Sequence, residues 1–326
     1  MKVFILTEGG INVGFGHITR CISLYEAFKE HGIRPLFIIN NSPEAKDFLK
    51  KNRIKFIIDS NFEIMDCGII IIDSYLKQKE FYNAISEKAK LLVSMDDFNR
   101  LDYPTGLVIN GAIYAKSIKY RKNKNLAYIL ATEYSPLRKD FWKIGPAKRI
   151  NRKAKNILIT LGGFNDDFAK KVVELLLKKF DFNLHVVSRR EISLAKDNKI
   201  LAYRNISSRE MKDLMLMADI CICGGGQTTY ELARCGVPSI GICFSDNQLL
   251  NLKSWFKTGF LHFAGWHNDK DLFKKIENAI KKLLSYEDRI NRHRIGMDCV
   301  DGKGAIKIVN RLICELKKNR KMKVFL

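Results

Sequence analysis

VFIL, Val3 to Leu6, runs toward a glycine-bearing loop that reads GFGHITR from Gly14 to Arg20. The first stretch is an apolar run of strand length. Beyond the loop Ile18, Cys21, Ile22, Leu24, Tyr25 and Phe28 recur at helical spacing. The loop therefore sits where strand becomes helix. In an open parallel sheet that point is the carboxyl end of the first strand, where such sheets bind ligands. Gly14 and Gly16 let backbone come close to something bulky or anionic, and His17 stands at the start of the helix, where free N–H groups favour negative charge. An imidazole there can take a proton from water beside a phosphate ester. It can equally cap the helix or bond a neighbouring carbonyl.

Outward from this loop the pattern alternates strand and helix. PLFIIN (Pro35 to Asn40), a helix over Pro43 to Asn52, IKFIID (Ile54 to Asp59) and CGIIIID (Cys67 to Asp73) follow. The last is a continuous apolar run of the kind buried on both faces of a sheet. LLVSMDD (Leu91 to Asp97) and GLVINGA (Gly106 to Ala112) close the series. Such alternation means parallel strands joined by crossover helices, a doubly wound sheet. Asp73-Ser74-Tyr75, Asp96-Asp97 and Asn110 punctuate the strand ends. Each alone reads as a cap or turn former; together they are expected to share the crevice of His17. The adjacent Asp96 and Asp97 lack a third ligand at suitable spacing, so no metal is expected.

The basic stretch IGPAKRINRKAK (Ile144 to Lys155) carries a Gly-Pro step and no apolar periodicity, and reads as a linker. It divides the chain into residues 1–145 and 146–326, the latter ending in a helix, DGKGAIKIVNRLICELKK, that can pack back on the first half. The second half restarts with NILITLGG (Asn156 to Gly163), whose Gly162-Gly163 pair resembles the first loop in kind. Its most informative stretch is ADICICGGGQTTYELARCGVPSIGI, Ala218 to Ile242. A strand runs into Gly224, Gly225 and Gly226, after which Gln227, Thr228 and Thr229 open a helix containing Glu231. Glycines allow close approach, exposed N–H groups stabilise negative charge and threonine hydroxyls add hydrogen bonds, which together suit a phosphate. Glu231, a turn further on, suits ribose hydroxyls. A glycine turn used only for packing is the alternative. The pattern is neither the Walker lysine loop nor the G-x-G-x-x-G fingerprint.

At 326 residues the chain is long enough for two domains with separate cores. No stretch is apolar enough to span a bilayer, and the first apolar run stops at Thr7 and Glu8, so a cytoplasmic protein without membrane insertion is expected. The eight cysteines show no C-x-x-C pair and read as reduced core residues. A formal net charge of +22 raises the question of nucleic acid. The lysines are dispersed along the whole chain and accompany no nucleic-acid motif, so a nucleic-acid partner is not expected; a non-catalytic nucleotide- or RNA-binding protein is the remoter alternative. The cluster Lys317 to Lys323 reads as a solvated tail. A monomer is favoured.

Two α/β domains, a His-bearing glycine loop in one and GG-x-T-x-x-E in the other, resemble the GT-B architecture of nucleotide-sugar glycosyltransferases, with two Rossmann-like domains facing an interdomain cleft. Within it GFGHITRC, Asp73-Ser74-Tyr75, Asp96-Asp97, SPLRKDF (Ser135 to Phe141), GGGQTTYE, DNQ (Asp246 to Gln248) and DGKGA resemble the PseG family of UDP-sugar hydrolases, relatives of the SpsG-type spore-coat polysaccharide proteins. That family releases 2,4-diacetamido-2,4,6-trideoxy-L-altrose from UDP on the way to pseudaminic acid. The resemblance implies His17 as catalytic base, with Tyr75 and Asn247 in the catalytic set. It implies Gly14, Gly16, Arg20, Asp96, Asp97, Asn110, Arg138 and Gln248 around the substrate. Gly162, Gly163, Gly225, Gly226, Thr228, Thr229 and Glu231 would hold the nucleotide. A UDP-activated amino sugar is the implied partner, with no cofactor and no metal; a glycosyltransferase using the same donor is the chemical alternative. One departure stands out: the family's Arg-x-Asp after the first strand is replaced by Leu6 and Glu8.

Overall fold

The fold is that of a computed structural model, which describes residues 2–10, 13–61, 67–145, 150–162, 166–188 and 197–322. Gly163 and residues 146–149 of the basic stretch lie outside them, as does Lys323 of the terminal cluster. The chain forms two compact units, Met1–Lys139 with Gly302–Leu326, and Asp140–Asp301.

The first unit is built on seven parallel strands: β1 (Val3–Thr7), β2 (Leu36–Ile39), β3 (Phe56–Ile58), β4 (Cys67–Asp73), β5 (Ala89–Met95), β6 (Gly106–Asn110) and β7 (Leu126–Leu130). Their order across the sheet is β3-β2-β1-β4-β5-β6-β7. The run Ile69 to Ile72 is almost wholly buried, as expected for a central strand covered on both faces. Helices α1 (Gly16–Lys29), α2 (Pro43–Lys51) and α3 (Lys79–Lys88) cross between strands. Ser42 caps α2 by accepting from the Ala45 N–H, with Pro43 at the first helical position. The strand series read from the sequence stops one short, because β7 is an edge strand and most of its residues stay half-buried or exposed, which weakens the apolar signal.

The second unit repeats the plan with six parallel strands: β8 (Asn156–Thr160), β9 (Asn183–Ser188), β10 (Ile200–Arg204), β11 (Ile220–Gly224), β12 (Ser239–Cys243) and β13 (Leu261–Trp266), ordered β10-β9-β8-β11-β12-β13. Helices α4 (Asp166–Lys179), α5 (Ser208–Met217), α6 (Thr228–Arg234), α7 (Asp246–Thr258), α8 (Leu272–Leu283) and α9 (Tyr286–Cys299) belong to it. Its core joins Ile157, Ile159, Val172, Ile220, Ile222, Ile240 and Ile276 among others. The final helix, α10 (Gly304–Met322), packs on α1 and β5 and so belongs to the first unit.

The division falls at Lys139/Asp140 rather than 145/146 because the chain is captured early. Phe141 and Trp142 are buried, and Arg234 of α6 donates to both their carbonyls. Further on, the fully buried Arg289 donates to the carbonyls of Asn151 and Arg152 and to those of Leu283 and Leu284. The described end of the basic stretch is thus bound into the second unit by its backbone, which no apolar period reveals. Six of the eight cysteines are buried; Cys299 is half-buried and Cys314 exposed on α10, so the core reading does not extend to that last one. Among the described residues, no helix is long and apolar enough to cross a membrane.

Candidate active site

In each sheet the order reverses at one place, between β1 and β4 and between β8 and β11. Crevices open at the carboxyl ends of strands flanking such a reversal. In the first unit α1 brings His17 and Arg20 to this point, and β4, in register with β1 so that Thr7 lies opposite Asp73, brings the carboxylate. His17 Nδ1 lies 2.6 Å from Asp73 Oδ1. Arg20 donates from Nε to Asp73 Oδ2 at 2.8 Å and from Nη2 to Asp73 Oδ1 at 2.6 Å. Its Nη1 reaches Asp97 Oδ1 at 2.7 Å. The Tyr75 hydroxyl donates to Asp97 Oδ2 at 2.7 Å, and the Tyr75 ring meets His17 edge-on at 4.3 Å between centroids.

A carboxylate can only accept, so Nδ1 carries the His17 proton and Nε2 keeps its lone pair. Nε2 has no hydrogen-bond partner among the described residues. Burial would lower the His17 pKa, but the charge and hydrogen bond of Asp73 outweigh it, against an opposing Arg20, and the pKa ends above its ordinary 6.5. Asp73 is fully buried, yet Arg20 and His17 hold its carboxyl well below the usual range. Burial and Asp97 push the Tyr75 phenol far up, so it stays protonated and serves as a hydrogen-bond donor.

Sequence reasoning left the roles of two members of this site unread. Asp73 was expected in the crevice of His17 but not as its partner; that it pairs with His17 follows from β1 and β4 being neighbours. Glu8, noted only as a departure from the family pattern, is 2% exposed and accepts from the Tyr75 N–H at 2.6 Å, the Leu76 N–H at 3.4 Å and the Ser74 hydroxyl. It fixes the turn that carries Tyr75.

Two candidates have their side chains engaged by protein groups. The Asp96 carboxylate accepts from the Asn99 and Arg100 N–H groups and from the hydroxyls of Tyr103 and Tyr120, which fills its four acceptor positions. Asn110 donates to the Asp97 carbonyl and the Tyr120 hydroxyl and accepts from the Ala112 N–H. Both are buried, and their side-chain polar atoms are bonded within the protein. Arg20 is likewise engaged by two carboxylates. Arg138 is half-buried. Gly14, at φ +79°, pairs through its backbone with Gly10, which shapes the loop entering α1. Gly16 opens α1, and a Cβ there would meet nothing within 4 Å.

In the second unit Gly162, at φ +75°, follows β8, and the triple glycine begins at Gly224, the last residue of β11. A Cβ on Gly225 would lie 2.7 Å from Leu252 Cγ and 2.8 Å from Gln248 Cβ, so this glycine is required by α7 packing. The Gly225 N–H is taken by Gln248 Oε1, which also accepts from the Phe244 N–H. The Thr229 hydroxyl donates to the Gly226 carbonyl and accepts from Asn251 Nδ2, so it is not a free phosphate ligand. Asn251, a residue without sequence signal, also donates to the Gly225 carbonyl and accepts from the Tyr230 hydroxyl. Around Gly226, by contrast, there is open space, and the N–H groups of Gly226 and Thr228 meet no acceptor among the described residues. Glu231 is 3% exposed in the first turn of α6. Asn247 is exposed near the start of α7 and accepts from the Ser245 hydroxyl.

No family model matches the chain. It is 29% identical over 283 residues, 85% of its length, to a Helicobacter pylori protein named pseudaminic acid cytidylyltransferase and UDP-2,4-diacetamido-2,4,6-trideoxy-beta-L-altropyranose hydrolase. It is 28% identical over 284 residues, 76% of its length, to an uncharacterized protein of Methanocaldococcus jannaschii. The Bacillus subtilis spore coat polysaccharide biosynthesis protein SpsG is 24% identical over 345 residues, covering 94% of this chain and 96% of that one. The chain is similar to the H. pylori protein over 85% of its length and to SpsG over 94%. It spans about half the length of the first two relatives, 50% and 57%. Among solved structures, Acinetobacter baumannii MurG matches with a TM-score of 0.61 at 13% identity, over 96% of this chain and 99% of that one. The spinosyn forosaminyltransferase SpnP matches at 0.65 and 10%, over 97% and 99%. The fold is GT-B, with two Rossmann-like domains.

Proposed function

We propose that this chain is a UDP-sugar hydrolase acting on a UDP-linked 2,4-diacetamido-2,4,6-trideoxyhexose, or a near relative, without a cofactor. The observation that carries the reading is the His17–Asp73 pair at 2.6 Å, with Nε2 directed at no protein group among the described residues. Neutral His17 deprotonates a water at Nε2 while Asp73 holds the other ring nitrogen protonated and balances the imidazolium that forms. The water attacks the anomeric carbon from the face opposite the leaving group, and the configuration inverts. The C–O bond to the diphosphate breaks, and UDP leaves as a stable anion that needs little help from an acid. Within the second unit, the open amides of Gly226 and Thr228 are the groups fit to meet phosphate charge, and Glu231 is assigned to the ribose.

The sugar identity rests on the name of the H. pylori relative, and the hydrolytic outcome on water being the group that His17 activates. A glycosyltransferase reading is favoured by one observation, the GT-B likeness to MurG and SpnP: the same base would then deprotonate an acceptor hydroxyl. Incubation with a panel of UDP-sugars, without acceptor, followed by NMR of free UDP and of the anomeric signal, separates the two. Release of UDP with an inverted free sugar supports hydrolysis. Release only on addition of an acceptor supports transfer, and no turnover of any UDP-sugar refutes both.

A further inference from the structure

The pocket around His17 holds more negative charge than orienting an imidazole requires. One nitrogen, Arg20 Nη2, stands 2.6 Å from Asp73 Oδ1, 3.2 Å from Asp97 Oδ2 and 3.4 Å from His17 Nδ1. The single guanidinium is therefore shared between two carboxylates, and with His17 neutral the cluster carries one net negative charge. A proton on the imidazole cancels it. The groups facing His17 are Arg20 from α1, Asp73 from β4, Tyr75 from the turn after it and Asp97 from the end of β5, with the Cys21 thiol against the far oxygen of Asp73. Burial raises the Cys21 thiol and both burial and Asp97 raise the Tyr75 phenol, so neither adds charge. Asp97 itself is held from three sides: by Arg20, by the Tyr75 hydroxyl, and at its carbonyl by Asn110.

We propose that Asp97 is a positioning residue for His17: by sharing the Arg20 guanidinium with Asp73, it makes the pocket neutral when the imidazole is protonated, the state formed on accepting a proton from water. Without Asp97, Arg20 would answer Asp73 alone and the cluster would be balanced around a neutral imidazole, a poorer base. Asp97 touches His17 only through Arg20 and Tyr75, so it tunes the base without meeting the reacting atoms. The catalytic consequence rests on His17 being the base in the proposed hydrolysis, but the charge balance does not.

The test is an NMR titration of the His17 ring in the full chain, which needs no substrate. Asp97→Asn should lower the His17 pKa relative to the unchanged protein. Arg20→Met should raise it, and Arg20→Lys should restore it toward the original value. Shifts of opposite sign in the first two variants support the proposal; no shift, or shifts of the same sign, overturn it. Should Arg20→Met fail to fold, Asp97→Asn and Asp97→Ser carry the test, and a His17 pKa unmoved in both is the refuting result. In turnover with a UDP-sugar, the rising limb of kcat/KM against pH should move to lower pH in Asp97→Asn, with a lower plateau. A merely structural role would lower the plateau without moving the limb. If the NMR shifts appear and no UDP-sugar is turned over, the charge balance stands and the hydrolase reading falls.

Discussion

Asp73→Asn tests the site most directly, because the carboxylate is fully buried and its donors are known. His17 Nδ1 and Arg20 Nη2 converge on Oδ1, while Arg20 Nε and the Cys21 thiol converge on Oδ2. An asparagine can offer one acceptor and must turn its amide toward the other pair. With oxygen on the His17 side, an N–H faces Arg20 Nε, and a charged buried donor loses its partner, at about 1–3 kcal/mol. With oxygen on the other side, the amide donates to Nδ1, the proton moves to Nε2 and the base disappears. In both arrangements the charge that balances the imidazolium is gone. General-base catalysis contributes about 10²–10⁴-fold, so kcat should fall by at least about 10²-fold. KM should change little, since Asp73 is fully buried and bonded to His17 and Arg20. The assay is UDP release against substrate concentration and pH, with a thermal melt on the same sample to separate lost folding from lost chemistry. A folded Asp73→Asn protein with a near-normal kcat would refute the dyad.

Three further outcomes are expected. Gly225→Ala places a methyl within 2.8 Å of Leu252 and Gln248, and overpacking of this kind should cost about 1–3 kcal/mol, read from the denaturant midpoint, together with weaker UDP binding by calorimetry. Glu8→Gln sets an amide against the donors of the 74–76 turn; a loss of about 1–3 kcal/mol and a reduced kcat are expected, and unchanged melting would show that the turn holds itself. The His17 pKa is raised on folding, so its stabilising contribution is full below about pH 6.5 and is lost as pH rises through the folded value. Asp73 and Asp97 have lowered values, so theirs is present above about pH 3.8 and is lost as pH falls toward the folded values. Melting of the protein and of a His17→Asn variant should therefore differ most in mildly acidic solution and converge at alkaline pH.

The sequence by itself determined the local and periodic features. Apolar runs of strand length alternating with helical periods dictated two parallel sheets, and glycines after β1, β8 and β11 marked the strand-to-helix turns, because these signals depend on neighbours a few residues apart. His17 was legible for the same reason, standing next to the glycines that shape its loop. Its pairing with Asp73 was not. Asp73 is 56 residues away and becomes the orienting carboxylate only because the strand order sets β4 beside β1. Nor could the sequence distinguish Asp96 from Asp97: adjacent residues point apart at the end of a strand, so one is taken up by tyrosines and backbone amides while the other meets Arg20. Gly225 and Gly226 look alike as letters, yet Leu252 crowds the first and open space surrounds the second. Hydrogen-bond reach and packing are properties of distance in space, and only tertiary structure fixes that distance.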